Sequence, residues 1–183
     1  MNRCSWVNDN PLYIEYHDKE WGRPNYDDQH LFEMLILEMF QAGLSWECIL
    51  NKREEFVEAF DSFDVVKVSN YGDTKINELM NNKGIVRNKR KIMASILNAK
   101  IFREIQKEYG SFSKYIWSFT DGCVVDHKGK AMVSNELSDK ISLDLKSRGM
   151  KFVGTVIIYS YLQAIGIIND HEKNCFCYLE VKG

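Results

Sequence analysis

After Pro24 the chain has no further proline, so residues 26–183 contain nothing that forbids an α-helix outright. The only two prolines, Pro11 and Pro24, both precede the first long apolar periodicity. That freedom predicts an all-α fold. The chain has 183 residues, 45% of them hydrophobic, enough for one real core and too few for two, so residues 1–183 are expected to form a single domain. No run of about 18 apolar residues occurs, and the N-terminal stretch through Trp6 has no apolar signal core, which predicts a soluble, cytoplasmic protein without a membrane partner. Five cysteines, an odd number, argue against a disulfide framework and leave metal binding or buried thiols.

The formal net charge of −2 points to no polyanionic partner, but the charge is unevenly spread. Residues 83–107 carry Lys83, Arg87, Lys89, Arg90, Lys91, Lys100, Arg103 and Lys107 against Glu104 alone, whereas residues 1–38 hold three basic and eight acidic side chains. A basic segment in an otherwise acidic chain can follow a phosphate backbone, although a solvated helix face has the same composition.

Around Glu38 the pattern is more specific. Counting about 100° per residue from Leu31 puts Glu38 beside Met34 and Leu35, opposite the polar Gln29 and Glu33. A carboxylate on an apolar stripe is costly unless a cation or a donor meets it. A ligand is one way to meet it, which makes Glu38 the candidate catalytic residue. An internal ion pair is the other, with Arg53 as partner, because Arg53 falls in the next helix's stripe of Trp46, Ile49, Leu50, Val57 and Phe60.

Residues 1–26 mix turn signals with Trp6, Tyr13, Tyr16, Trp21 and Tyr26, which suits a core and also a pocket for a flat ligand. Asp27 is the predicted N-cap of a helix over 28–40, Ser45 of one over 46–60, and Ser69 or Asp73 of a short one reaching Met80. A long helix should carry Ile92, Ile96, Ala99 and Phe102 on one side. Between the last two lies a glycine turn followed by basic residues that looks like a helix-hairpin-helix. There Gly84 would let the backbone approach a phosphate, the amides opening the second helix would donate to it, and Lys89 and Arg90 would add phosphate contacts. Residues 121–136 break the helical period and read as a surface excursion without chemistry, with Cys123 and His127 set aside as ligands. Leu137, Ile141 and Leu145 mark a helix stopped by Gly149, and residues 153–168, apolar on nearly every side, predict a central buried helix. His171 and Cys175 stand four apart near one end of the chain, with Cys4 and His17 near the other. Together they make a closed tetrahedral set for zinc if the ends meet, with Cys177 as a rival to Cys175.

Taken together, Cys4-Ser5-Trp6, Pro11-Leu12-Tyr13, Tyr16-His17-Asp18, Glu20-Trp21-Gly22, Gln41-Ala42-Gly43-Leu44-Ser45-Trp46, Lys151-Phe152-Val153-Gly154 and Asn169-Asp170-His171 closely resemble the type I 3-methyladenine DNA glycosylases. The resemblance covers nearly the whole chain in the right order. It implies a monofunctional base-excision enzyme of the helix-hairpin-helix superfamily, which flips 3-methyladenine out of double-stranded DNA and removes it by hydrolysis. It also implies one structural zinc on Cys4, His17, His171 and Cys175, tying the two ends of the chain together. The base pocket would be Glu38 with Trp6, Tyr13, Tyr16, Trp21 and Trp46, and Gly43 and Leu44 would fill the gap left by the flipped nucleotide. A monomer without a nucleotide cofactor is expected. Met39 and Phe40 depart from some members, where a Gly or Ser and a Gln are also found, and this bears on the shape of the wedge loop. The stretch around Arg103-Glu104-Ile105 has no aspartate where most of the superfamily carry a catalytic one, a lack that the type I enzymes share. Methylation at N3 gives adenine a positive charge and makes it a good leaving group, so selecting the base becomes the main task. Glu38 can oppose that charge and accept from the exocyclic amino group.

Two other classes compete. In a zinc hydrolase, three of the four ligands would hold the metal and Glu38 would serve as base, but four good ligands close the shell. A non-enzymatic module for damaged or single-stranded DNA would use the same aromatic platform and basic segment, and release of free base separates it from an enzyme.

Overall fold

The computed structural model describes residues 2–130 and 132–181, and helices account for most of them. Helix α1 spans Pro11–Lys19. It opens on Asn10, whose side chain accepts from Leu12 N, and Pro11 takes the first helical position, where no N–H is needed. Helix α2, Asp28–Gln41, begins as expected at Asp27, which accepts from His30 N at 3.1 Å. Its residues from Leu31 to Phe40 are buried except Glu33, so α2 is the helix that the core surrounds. Met39 and Phe40 are part of that core. Phe40 packs on Phe56 with ring centroids 4.9 Å apart, so these two residues shape the interior beneath the loop that follows α2.

The single helix expected over 46–60 is broken. Ser45 caps α3, Trp46–Leu50, by accepting from Cys48 N, but a turn at Asn51 and Lys52 separates it from α4, Arg53–Ala59. Helix α5 is Val65–Ser69 and α6 is Asp73–Asn81. Neither expected cap serves α6: its N-cap is Gly72, Ser69 closes α5 by donating to Val66 O, and Asp73 already lies inside α6. Helix α7, Lys89–Tyr109, follows the hairpin from Asn88, which accepts from Lys91 N at 3.2 Å, and ends at Gly110 in the left-handed region, φ +84°. Helix α8, Phe112–Ser118, is fixed to the start of α2, because its Phe112 and Ser113 amides donate to the Asp28 carboxylate at 2.8 and 2.7 Å.

Residues 121–136 are less free than their sequence suggested. They contain β1, Val125–Asp126, which pairs in parallel with β2, Ile168–Asn169, aligning Val125 with Ile168. Helix α9, Glu136–Ser147, starts in a capping box between Asn135 and Ser138. The run 153–168 is not one central helix. It gives α10, Thr155–Ala164, which packs on α2 and α9 with Val156 exposed, and then turns at Gly166 into β2. Gly166 has φ +76°, and a Cβ there would stand 2.1 Å from the Arg23 carbonyl carbon, so only glycine fits. Helix α11, Cys177–Glu180, closes the described chain. None of the described helices is long and apolar enough to cross a membrane.

Candidate functional site

The C-terminal half of α2 and the aromatic N-terminal segment enclose a cavity of about 340 Å³. Trp6, Tyr13, Tyr16, Trp21, Glu38 and Trp46 all line it, so the structure brings the six pocket residues read from the sequence together. Trp6 meets Tyr13 and Trp21 with ring centroids 5.2 and 4.9 Å apart, and Tyr16 tilts against Trp46 at 5.2 Å. Part of the wall is polar: Ser160, Gln163, Asp170 and Glu172 line the same space. Sequence reading missed this wall.

Glu38 is 4% exposed, and no cation or donor reaches its carboxylate among the described residues. Arg53, its expected partner, is committed elsewhere. Its guanidinium takes both oxygens of Glu20 at 2.7 and 2.9 Å and Glu33 Oε1 at 2.7 Å. The break at Asn51 and Lys52 explains this, since Arg53 opens a new helix whose direction is not set by the stripe of α3. With burial uncompensated, the Glu38 carboxyl is pushed up from 4.5 to about 8. Trp46 has the complementary problem: its indole Nε1 is buried without an acceptor. A buried acceptor without a donor and a buried donor without an acceptor line one aromatic cavity. Native interiors rarely leave such groups unmet, and a flat ligand with both kinds of edge would satisfy them.

Below the aromatic wall the two ends of the chain meet. The ligand atoms of Cys4, His17, His171 and Cys175 all lie within 4.8 Å of one another, and all four residues are buried. Cys4 Sγ is 3.5 Å from His171 Nδ1, and Cys175 Sγ is 3.4 Å from His17 Nε2 and 3.7 Å from His171 Nδ1. A tetrahedral zinc, with sulfur at about 2.3 Å and nitrogen at about 2.0 Å, spaces such pairs about 3.5 Å apart, so the cluster fits that ion. The outer ring nitrogens are also engaged: His17 Nδ1 lies 2.7 Å from Asp18 Oδ1, and His171 Nε2 lies 3.0 Å from Trp21 O. The rival Cys177 points instead at the His17 and Asp18 carbonyls, 3.9 and 4.0 Å away. A grouping of His17, Asp18 and Cys177 is also close, but it has three donors and shares His17 with the first. The cluster carries the pocket wall, since Trp21 packs on His171 at 4.7 Å and Trp6 on His17 at 5.2 Å. Gly22 between them has φ +75°, and a Cβ would meet His171 Nε2 at 2.8 Å.

The loop after α2 presents Gly43, φ +84°, and Leu44, 38% exposed, with no atom within 4 Å of a Cβ added at Gly43. Lys91 holds this loop in place. Although it looked like one more surface cation, it is buried, and its Nζ donates to Phe40 O and Ala42 O at 2.8 Å each. The C-terminal carbonyls of α2 thus receive a cation. The same contact sets the start of α7 beside the loop that follows α2. Lys89 and Arg90 there are exposed and form no ion pair among the described residues. Gly84 faces inward: its carbonyl accepts from Lys52 Nζ at 3.1 Å, and a Cβ would stand 2.8 Å from Glu55 Cγ. Its need for glycine is thus met by packing on α4. Cys123 is exposed and does not meet His127 as a ligand pair; His127 bonds instead to Asp170 and Tyr159.

A family model for methyladenine glycosylases matches residues 6–178. A DNA-3-methyladenine glycosylase of Escherichia coli K12 is 43% identical over 97% of each chain. A crystal structure of a 3-methyladenine DNA glycosylase I superposes with a TM-score of 0.93 at 43% identity, covering 97% of this chain and 100% of the other. The Staphylococcus aureus glycosylase I, solved to explain its recognition of 3-methyladenine, gives 0.92 at 38% identity over 96% of each chain.

Proposed function

The chain belongs to the methyladenine glycosylase family, and we propose that it is a base-excision repair enzyme that flips 3-methyladenine out of alkylated double-stranded DNA and removes it by hydrolysis. The observation that carries this reading is the buried, unpartnered Glu38 in an aromatic cavity. Alkylation at N3 puts a positive charge on the adenine, and a carboxyl raised to about 8 by burial is stabilised as an anion when that charge arrives. Glu38 then accepts from the exocyclic amino group, and the aromatic faces hold the flat cation. The chemistry asks little more of the protein. The C1′–N9 bond breaks, its electron pair neutralises the base, and water adds to C1′ with loss of a proton. No acid is needed to prepare a leaving group that is already charged.

Around that pocket, the exposed Gly43 and Leu44 fill the gap left by the flipped nucleotide. Gly84 shapes a helix-hairpin-helix turn whose following Lys89 and Arg90 contact phosphates. The whole acts as a monomeric single domain without a nucleotide cofactor. Cys4, His17, His171 and Cys175 would hold one structural zinc. Bound there, it would cross-link the ends of the chain, and His17 and His171, against which Trp6 and Trp21 pack, would fix the aromatic wall. The four-donor closure argues against a zinc hydrolase.

Incubating the purified protein with methylated duplex DNA tests this reading. Free 3-methyladenine should appear, leaving abasic sites and uncut strands. Binding to methylated DNA without release of base would make the protein a damage-binding module instead.

A further inference from the structure

The polar wall of the cavity is organised by Asp170, a buried carboxylate that the mechanism above does not use. Three donors converge on it: the Tyr159 hydroxyl, Gln163 Nε2 at 2.7 Å and His127 Nδ1 at 2.9 Å. Each donor is itself oriented. Asn135 Nδ2 lies 3.3 Å from His127 Nε2, which leaves Nδ1 as the ring nitrogen facing Asp170, and the Met132 amide donates to Tyr159 Oη at 3.1 Å, which turns the hydroxyl proton towards Asp170.

The consequence falls on Gln163. A carboxylate offers no hydrogen, so the end of the Gln163 amide that meets Asp170 has to be the NH2 group. Its carbonyl Oε1 then faces the other way, without a donor among the described residues, on a side chain that lines the base cavity. An unrestrained glutamine presents either edge by rotating its terminal torsion and so discriminates nothing. Here rotation would set Oε1 against the Asp170 oxygens.

We propose that Gln163 is a specificity-determining residue of the base cavity: Asp170, Tyr159 and His127 lock its amide so that Oε1 is a fixed acceptor selecting purines with an amino group at C6 over those with an oxo group. This inference rests on the glycosylase reading and refines it. An exocyclic amino group has two N–H donors, and Glu38 and Gln163 both line the one cavity. A C6 carbonyl in the same place would leave Gln163 Oε1 unmet and set two acceptors against each other, which is how a hydrogen-bonding site rejects a near-isostere.

Two variants separate this from a structural role. Asp170→Asn puts an amide opposite Gln163 that can donate to Oε1, which frees the glutamine to turn its NH2 to the cavity. Gln163→Leu removes the acceptor and leaves Asp170, Tyr159 and His127 in place. Free 3-methyladenine and 3-methylguanine, a purine with an oxo group at C6 and an amino group at C2, are titrated into wild type and both variants by tryptophan fluorescence, with circular dichroism melts alongside. Losing one neutral hydrogen bond weakens 3-methyladenine capture by about tenfold, and 3-methylguanine is held at least as well as before, so the preference falls by about tenfold or more. If Asp170→Asn does not fold, Gln163→Leu alone decides. Wild-type protein that captures 3-methyladenine, with folded variants keeping its preference, overturns the role of Gln163 and leaves the glycosylase reading standing. Wild-type protein that captures neither base overturns both.

Discussion

Glu38→Gln keeps the shape of the buried side chain and removes its ionisation, and its signature should be a change in how stability depends on pH. Burial holds the folded carboxyl at about 8 against an ordinary value of 4.5, so between these values the unfolded chain has released this proton while the folded chain keeps it. The folded state then binds more protons than the unfolded state, and stability falls as pH rises through that window. The contribution is about 1.4 kcal/mol per pH unit, and it accumulates to on the order of 5 kcal/mol above pH 8, where the folded carboxyl must ionise in the cavity. Glutamine has no such slope. Urea unfolding of both proteins from pH 5 to pH 8.5 isolates the effect, because every other titrating group cancels in the difference. The two proteins should be nearly equal at pH 5, and the variant should gain several kcal/mol over wild type by pH 8. Parallel curves would refute the buried, unpartnered carboxyl. A variant less stable at every pH would point to a partner for Glu38 that its surroundings do not reveal.

Other consequences follow from the same geometry. Protein purified without chelator should contain one zinc per chain; Cys4→Ala should lower Tm and change the fluorescence of Trp6 and Trp21, and substoichiometric metal with an unchanged melt would contradict the cross-link. Lys91→Met strips the cation from two α2 carbonyls, at about 1.5–3 kcal/mol for each charged hydrogen bond, and should reduce excision more than capture of free base because it loosens the wedge loop; an equal loss in both assays would contradict that. Replacing Lys89 and Arg90 together by Ala should reduce the salt slope of DNA binding by about 2 while leaving base preference unchanged, and an unchanged slope would make the segment a solvated face.

What the sequence disclosed followed from local rules. Glu38 was readable because α2 keeps its helical period from Asp28 to Gln41, and the caps Asp27 and Ser45 act through neighbouring amides three residues on. The zinc-type cluster was readable from residue chemistry, although the meeting of ends 167 residues apart is set by packing. Other features depend on contacts that no period encodes. The break between α3 and α4 has no glycine or proline to mark it, and it redirects Arg53 to Glu20 and Glu33. Lys91 looked like a surface cation because its partners are carbonyls about fifty residues away. The Asp170 network needs the two-residue parallel bridge between β1 and β2, a pairing too short for an alternating pattern, and it pulls His127 out of an apparently featureless loop. Gly166 stands inside an apolar run that read as one helix, and the reason the helix ends before it, the backbone of Arg23 and Pro24 against it, exists only in the folded chain.

The central claim is that a buried, unpartnered Glu38 reads the charge of an alkylated adenine, and single-turnover release of 3-methyladenine from methylated duplex DNA by wild type and Glu38→Gln tests it most directly. A hydrogen bond to a charged group contributes about 1.5–3 kcal/mol, so the variant should release the base about 10- to 150-fold more slowly, with its fold and its affinity for undamaged DNA retained. Equal rates for the two proteins would contradict the claim.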